Sequence, residues 1–275
     1  MKQPFFFLHI PKTAGTTMNA VLDDNFDQSR IFDLYTDDQR ERLRETTYED
    51  LAQYDLVRGH VFIVNFEDIL DGPIPFNMFT FLRDPVKRVI SEYHFLKSWP
   101  KSHLYRFLND NDISLTEYVT SNRPELRMRG RNSMVNSLSG VGHATIEDGL
   151  EAAWHHLKDR FFCFGILERF DESLLMLNNY LKFDRCFYER QNVHAKRAHY
   201  PVSPAEVALI EEHNQADIAL YDRACIEFDR RVKLLGNGFQ SELRLFQKVN
   251  QRFQNVSRLI MEREGMETGD FLNAK

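Results

Sequence analysis

Cysteine is scarce: the 275 residues hold only Cys163, Cys186 and Cys225. The number is odd and no pair sits at metal-ligand spacing, so neither a disulfide framework nor a zinc site is indicated. We read all three as reduced, structural thiols. Long apolar runs are missing too. The longest early one, Phe5-Phe6-Phe7-Leu8, is far too short for a membrane span or the apolar core of a signal peptide. It runs straight into His9-Ile10-Pro11-Lys12, a strand followed by a loop. The expectation is a soluble, cytoplasmic protein with no stable membrane insertion. A membrane-anchored enzyme cut from its anchor would read the same way. Nor is there an excess of positive charge: 35 Lys and Arg stand against 41 Asp and Glu, a net −6. A general nucleic-acid binder would be basic, so no nucleic-acid partner is expected, although a local basic cleft is compatible with that balance. Glycine (12) and proline (9) are few, and no internal repeat or low-complexity segment interrupts the chain.

What is present is a globular composition, 43% hydrophobic and 28% charged, which argues against disorder and a fibrous fold. The length suits one large domain, or one domain with an appendage. Residues 4–9 predict a buried strand, followed by a turn and a helix from about Thr16 to Asp23. Further strands are expected at Leu56–His60, Met78–Leu82 and Phe161–Ile166. Asp84 can cap a helix whose first residue is Pro85, with Val86, Val89, Ile90 and Tyr93 at helical spacing. A helix through Leu174, Leu175 and Leu181 should follow the fourth strand. Ser203-Pro204-Ala205-Glu206 reads as a capping box opening a long helix to about Arg230. Strands alternating with helices indicate an α/β fold with a central, mainly parallel sheet flanked by helices. Beyond Gly236-Asn237-Gly238, an amphipathic segment over about 240–263 predicts a helix packing on the body or on another subunit, hence a possible homo-oligomer. The domain boundaries expected are therefore 1–235 and a helical tail, 236–275.

Two segments carry chemistry. Pro11-Lys12-Thr13-Ala14-Gly15-Thr16-Thr17 lies between a strand and a helix start, where backbone N–H groups and the helix dipole favour an anion. Gly15 permits close backbone approach, Thr16 and Thr17 add hydroxyl donors, and Lys12 adds a point charge. The segment is not a Walker A loop, because Lys12 precedes the glycine. Arg83, at the end of a predicted strand, sits where open α/β sheets place their ligands. Ser91 falls about two turns into the next helix, on a face that can return to Arg83. An Arg fork with a hydroxyl suits a phosphate monoester.

Together these residues resemble the two nucleotide signatures of sulfotransferases that use 3′-phosphoadenosine 5′-phosphosulfate (PAPS). Residues 9–17 are similar to that family's 5′-phosphosulfate loop, and Arg83 with Ser91 to its 3′-phosphate motif. The resemblance is strongest to the carbohydrate branch, especially the heparan sulfate and uronyl 2-O-sulfotransferases. It extends through Gly59-His60-Val61-Phe62, Phe161–Leu181 and the helix after Ser203, and so over most of residues 4–230. It implies a P-loop-like three-layer fold and direct transfer of a sulfonate from PAPS to an acceptor, leaving adenosine 3′,5′-bisphosphate (PAP). No metal is implied.

The chemistry of that transfer makes three demands. A cation must meet the leaving phosphate, and Lys12 with the loop amides is placed for it. A base must take the acceptor's proton. The 3′-phosphate must be held so that the sulfur lies in line with the acceptor, the task assigned to Arg83 and Ser91. The resemblance assigns the base to His60, since relatives carry their catalytic histidine in a Gly-His-Val segment at this position. Relatives have a further histidine two residues earlier. Here that residue is Arg58, a candidate acceptor contact. His9, His94, His155 and His156 are weaker candidates for the base. In relatives a basic loop before the last long helix closes over the 3′-phosphate. Lys196 and Arg197, within the cluster Arg190, His194, Lys196, Arg197 and His199, are the candidates for it. A second basic run, Arg123, Arg127, Arg129 and Arg131, could hold an anionic sugar, with Arg129 and Arg131 as the expected contacts. Both runs could equally be solvated surface. Asn132, Asn136 and Gly140 resemble a family segment near the active site.

Two other readings stay open. A P-loop kinase would need Mg²⁺ and an acid after an apolar strand, which neither residue 60 nor residue 83 supplies. A catalytically dead polyanion-binding module would need no pairing of Lys12 with His60.

Overall fold

The apolar N-terminal run forms the middle strand of a five-stranded sheet. The computed structural model describes residues 3–70, 76–140, 142–189 and 201–264. The strands are β1 (Phe5–Leu8), β2 (Ile31–Leu34), β3 (Leu56–Gly59), β4 (Asn77–Leu82) and β5 (Phe161–Ile166), in spatial order β2-β3-β1-β4-β5. Every pairing is parallel. Such a sheet is covered on both faces, so its strands read as continuous apolar runs rather than alternating ones. Phe6, Phe7 and Leu8 are accordingly all buried, with Phe6 stacked on Phe66 and Phe7 on Phe79.

Helices fill the connections. α1 (Gly15–Asn25) leads to β2, and α2 (Asp37–Leu43) and α3 (Tyr48–Leu51) lead to β3. α4 (Ile63–Leu70) precedes β4. The long β4–β5 connection holds α5 (Pro85–Ser98), α6 (Tyr105–Asp110), α7 (Leu115–Thr120), α8 (Pro124–Gly130), α9 (Ser133–Ser139) and α10 (Ile146–Asp159). After β5 come α11 (Phe170–Leu181), α12 (Pro204–His213), α13 (Gln215–Leu234) and α14 (Gly236–Glu264). The main core surrounds the sheet, and a smaller cluster centred on Val89, Tyr93, Leu108 and Tyr118 joins α5, α6 and α7 to α12.

The local signals act as expected at several ends. Asp84 Oδ1 accepts from the Lys87 N–H, with Pro85 at the first helical position. Ser203 and Glu206 form the reciprocal capping box. Two elements differ from expectation. β2 is a fifth strand that the sequence pattern does not announce. The long helix after Ser203 is broken at Asn214, whose buried side chain donates to the Gly130 and Ile210 carbonyls and accepts from the Asn132 N–H. α14 packs on the body through Phe239, Leu243 and Phe246, which belong to the main core. Its other face leaves Leu245, Phe253, Val256, Leu259 and Ile260 exposed. Among the described residues no helix is long and apolar enough to cross a membrane.

Strand order fixes where a ligand can sit. The chain leaves β1 toward β2 on one side and leaves β4 toward β5 on the other. The carboxyl ends of β1 and β4, where the chain turns in opposite directions, are the usual ligand position in open α/β sheets.

Candidate active site

A cleft of about 1920 Å³ opens along these strand ends. Its floor is the loop after β1. Lys12 (φ 70°) and Ala14 (φ 81°) both adopt left-handed backbone, which costs a non-glycine residue roughly 1–2 kcal/mol. Such a cost is typical of sites where geometry matters more than stability. Thr13 is buried and donates its hydroxyl to the Ile10 carbonyl at 2.8 Å, bracing the turn from within. α1 then starts at Gly15 without a side-chain cap. A helix start of this kind, with its first amides directed outward and no side-chain cap, favours an anion. Lys12 Nζ sits 4.2 Å from the centre of the Phe95 ring, on α5. Gly15 has a reason that the sequence does not show. A Cβ there would fall 1.5 Å from His9 Nε2, so the glycine makes room for the His9 ring.

His60 follows β3, on the other side of β1. Its Nδ1 lies 2.6 Å from the His9 carbonyl oxygen. A carbonyl only accepts, so Nδ1 carries the proton and the neutral ring keeps its lone pair on Nε2. Burial lowers the pKa of His60 below the ordinary 6.5, against the opposing pull of the bond to His9. The ring borders the cleft, 4.3 Å from the His9 ring and 5.1 Å from Tyr35, centre to centre.

Arg83 follows β4 and reaches back to the loop: its Nη1 donates to the Lys12 carbonyl at 3.1 Å. Its Nε is buried and has no hydrogen-bond partner among the described residues. Burial also lowers its pKa, with Glu168 opposing. A cation so placed is suited to an anionic partner in the cleft. Ser91 borders the same cleft from α5. That helix is held by a buried network. Arg88, fully buried, bonds Glu92 at 2.8 Å and the Arg129 carbonyl at 2.9 Å. Asp217, also fully buried, accepts from the Met134 and Val135 N–H groups at the start of α9.

The cleft has two ends. Beyond Arg83, below β5, lie Leu167–Glu172, Tyr188, Leu243 and Gln247. Beyond His60, below β3 and β2, lie Tyr35, Arg40, Arg44, Trp99, Lys101, His103 and Arg129. Arg129 donates to Glu92 at 3.3 Å and to His103 Nε2 at 2.9 Å, which leaves that imidazole neutral. Of the expected contacts, Pro11, Lys12, Ala14, Gly15, Thr16, Thr17, His60, Arg83, Ser91 and Arg129 border the cleft.

Three expectations need correction. Arg58 does not border the cleft. It is buried between Asp23 (2.8 Å) and Asp33 (2.7 Å), the latter its register partner on β2. Arg131 is likewise engaged elsewhere: it donates to the carbonyls of Val119 and Ser121 at the end of α7. Thr13 faces inward, as described. Lys196 and Arg197 lie outside the described residues. Arg40, Arg44, Lys101 and His103 were not anticipated, because they belong to no motif and meet the site only through the packing of α2 and the α5–α6 turn. Among the described residues no group of three or more His, Cys, Asp or Glu side chains is placed to hold a metal.

No curated protein matches the chain. Among solved structures it is similar to the mouse sulfotransferase SULT7A1 complexed with PAP, at 15% identity and a TM-score of 0.37. That match covers 76% of this chain and 63% of the other, so the chain spans less than two thirds of that protein. At this TM-score the likeness adds nothing to the geometry above. The sulfotransferase family model, in contrast, matches residues 1–222, which include the loop after β1, His60, Arg83 and Ser91. The chain belongs to the sulfotransferase family.

Proposed function

We propose that this protein transfers a sulfonate group from PAPS to a hydroxyl of a carbohydrate or glycoconjugate, with His60 as the base. One observation carries the reading. The His60–His9 bond leaves Nε2 as the basic nitrogen, at the strand end beside the loop of Lys12. The residues also fit the nucleotide. The buried Arg83 Nε without a partner, with Ser91 bordering the same cleft, suits a 3′-phosphate. The uncapped start of α1 suits the 5′ end.

PAPS, when bound, supplies the sulfonate and a phosphate leaving group. Lys12 and the α1 amides then meet the charge that develops on the leaving oxygen. His60 Nε2 takes the acceptor hydroxyl's proton as the new S–O bond forms. Arg83 and Ser91 fix the nucleotide so that the sulfur faces the base. Lys196 and Arg197 are assigned to cover the 3′-phosphate. At the acceptor end, Arg40, Arg44, Lys101 and Arg129 with the half-exposed Trp99 favour an anionic sugar. The domain assignment stays at 1–235 for PAPS binding and 236–275 for the helical tail.

The test is mass spectrometry of candidate glycans incubated with PAPS, with ATP and Mg²⁺ as the control for a kinase. One added sulfo group is expected with PAPS alone. His60→Ala should reduce turnover by about 10²–10⁴ while PAP still raises the melting temperature. Near wild-type turnover in that variant would sink the base assignment.

A further inference from the structure

The motif residues account for the nucleotide and the base, but they leave His9 without a task. Its main chain is held by the end of β3 and by the residue that follows it. The His9 N–H donates to the Gly59 carbonyl at 3.0 Å, and its own carbonyl accepts from His60 Nδ1 at 2.6 Å. The His60 side chain thus takes the place of the next rung in the β1–β3 ladder. The His9 ring is locked as well. It stacks on Phe7, with centres 5.4 Å apart and planes 9° apart. Its edge fills the space that a Cβ on Gly15 would occupy. Its Nδ1 meets Tyr35 Oη at 3.2 Å, and that hydroxyl is tied in turn to the Asn19 amide on α1. Burial holds the ring neutral, and the charges of Lys12 and Arg58 act in the same direction.

We propose that His9 is a positioning residue for His60, its ring clamped by Gly15 and Tyr35 so that its carbonyl keeps the His60 proton on Nδ1. The proposal rests on the reading of His60 as the base. An imidazole free of such a bond divides its proton between the two nitrogens, and the tautomer with Nε2 protonated cannot accept the hydroxyl's proton. Turning the ring over would break the same bond. The clamp therefore sets both tautomer and orientation. It does so through residues that need not touch the acceptor. Because His9 also opens the phosphate loop, one short segment fixes the base on one side and Lys12 on the other.

The experiment uses the full chain labelled with ¹⁵N-histidine, with the His60 signals assigned by their loss in His60→Gln. In the wild type the proton should reside on Nδ1. In His9→Gln and Tyr35→Phe it should be shared with Nε2. Turnover should fall by about 10–100-fold, as when outer partners of a metal-bound imidazole are removed. In Tyr35→Phe, which leaves residues 9–17 intact, KM for PAPS and stabilisation by PAP should stay within about twofold of wild type, since that change acts on the base and not on the nucleotide. The proposal is overturned if His60 keeps its Nδ1 proton in both variants, or if turnover falls only because PAP no longer binds. Tyr35→Phe carries the tautomer test alone should His9→Gln not fold. The tautomer measurement needs no PAPS. A wild type that transfers no sulfonate therefore counts against the proposed activity, while the tautomer still decides the clamp.

Discussion

Gly15→Ala is a severe change for one added methyl group. The new Cβ would lie 1.5 Å from His9 Nε2, 1.9 Å from Cε1 and 2.2 Å from Cδ2. All three are ring atoms, so the backbone is not struck but the ring must leave. Phe7 stacks on it, Tyr35 and His60 flank it, and little room remains. Overpacking of this kind costs about 1–3 kcal/mol, and losing the bond to Tyr35 adds about 0.5–1.5 kcal/mol. Alanine in place of glycine at a helix start returns up to about 1 kcal/mol. With that return taken in full, the net is a loss of about 0.5–3.5 kcal/mol, which for a chain of this size lowers the melting temperature by roughly 1–14 °C. A four-corner cycle with His9→Ala isolates the contact. In the double variant the methyl occupies the space that the ring has left, so the two losses should fall short of additive by about 1 kcal/mol or more. Urea denaturation of all four proteins reads this directly. Additivity within about 0.5 kcal/mol would refute the interlock of ring and glycine.

Arg83→Ala should weaken the preference for PAP over AMP by about 1–3 kcal/mol, measured by titration calorimetry. An unchanged preference would remove the 3′-phosphate from Arg83. In the pH–rate profile the active form of His60 is neutral, so activity falls as the ring gains its proton. Burial lowers that pKa, which places the acid limb below the ordinary value of 6.5; a limb at or above it would contradict the buried, neutral base. Asp217→Ala takes the acceptor from two amides of α9 and the carboxylate 4.0 Å from Arg88 Nε. It should cost about 3–5 kcal/mol of stability in urea, and a loss under about 1 kcal/mol would deny that network its role in holding α5.

That residues 11–17 and the Arg83–Ser91 pair border one cleft was suggested by local patterns, each a strand end with polar residues at fixed spacing. β1, β4 and β5 were legible as apolar runs stopped by a turn or a cap. β2 was not, because Ile31-Phe32-Asp33-Leu34 is short and Asp33 interrupts it, and the reason for Asp33 is Arg58 on the neighbouring strand. The same pair accounts for the error at Arg58. Sequence places it two residues before His60, but only the sheet shows that two carboxylates already hold it. Asn214 is similar. It reads as one polar residue in a helix, and it breaks that helix because Gly130 and Asn132, far away in the chain, supply its partners.

The meeting of the motifs is a property of strand order, not of spacing. Lys12 and Arg83 are 71 residues apart, and His60 lies 51 from the carbonyl that orients it. Each follows a different strand, and β1 has β3 on one side and β4 on the other. Among the described strands, β1 is therefore the one from which a loop can touch both His60 and Arg83. The residue that ends it must serve both neighbours, and His9 does so by giving its carbonyl to His60 while the next turn gives its carbonyl to Arg83. Were β1 at an edge of the sheet, the same motifs could not surround one cleft. The left-handed backbone at Lys12 and Ala14 is the local cost of turning the chain within that space.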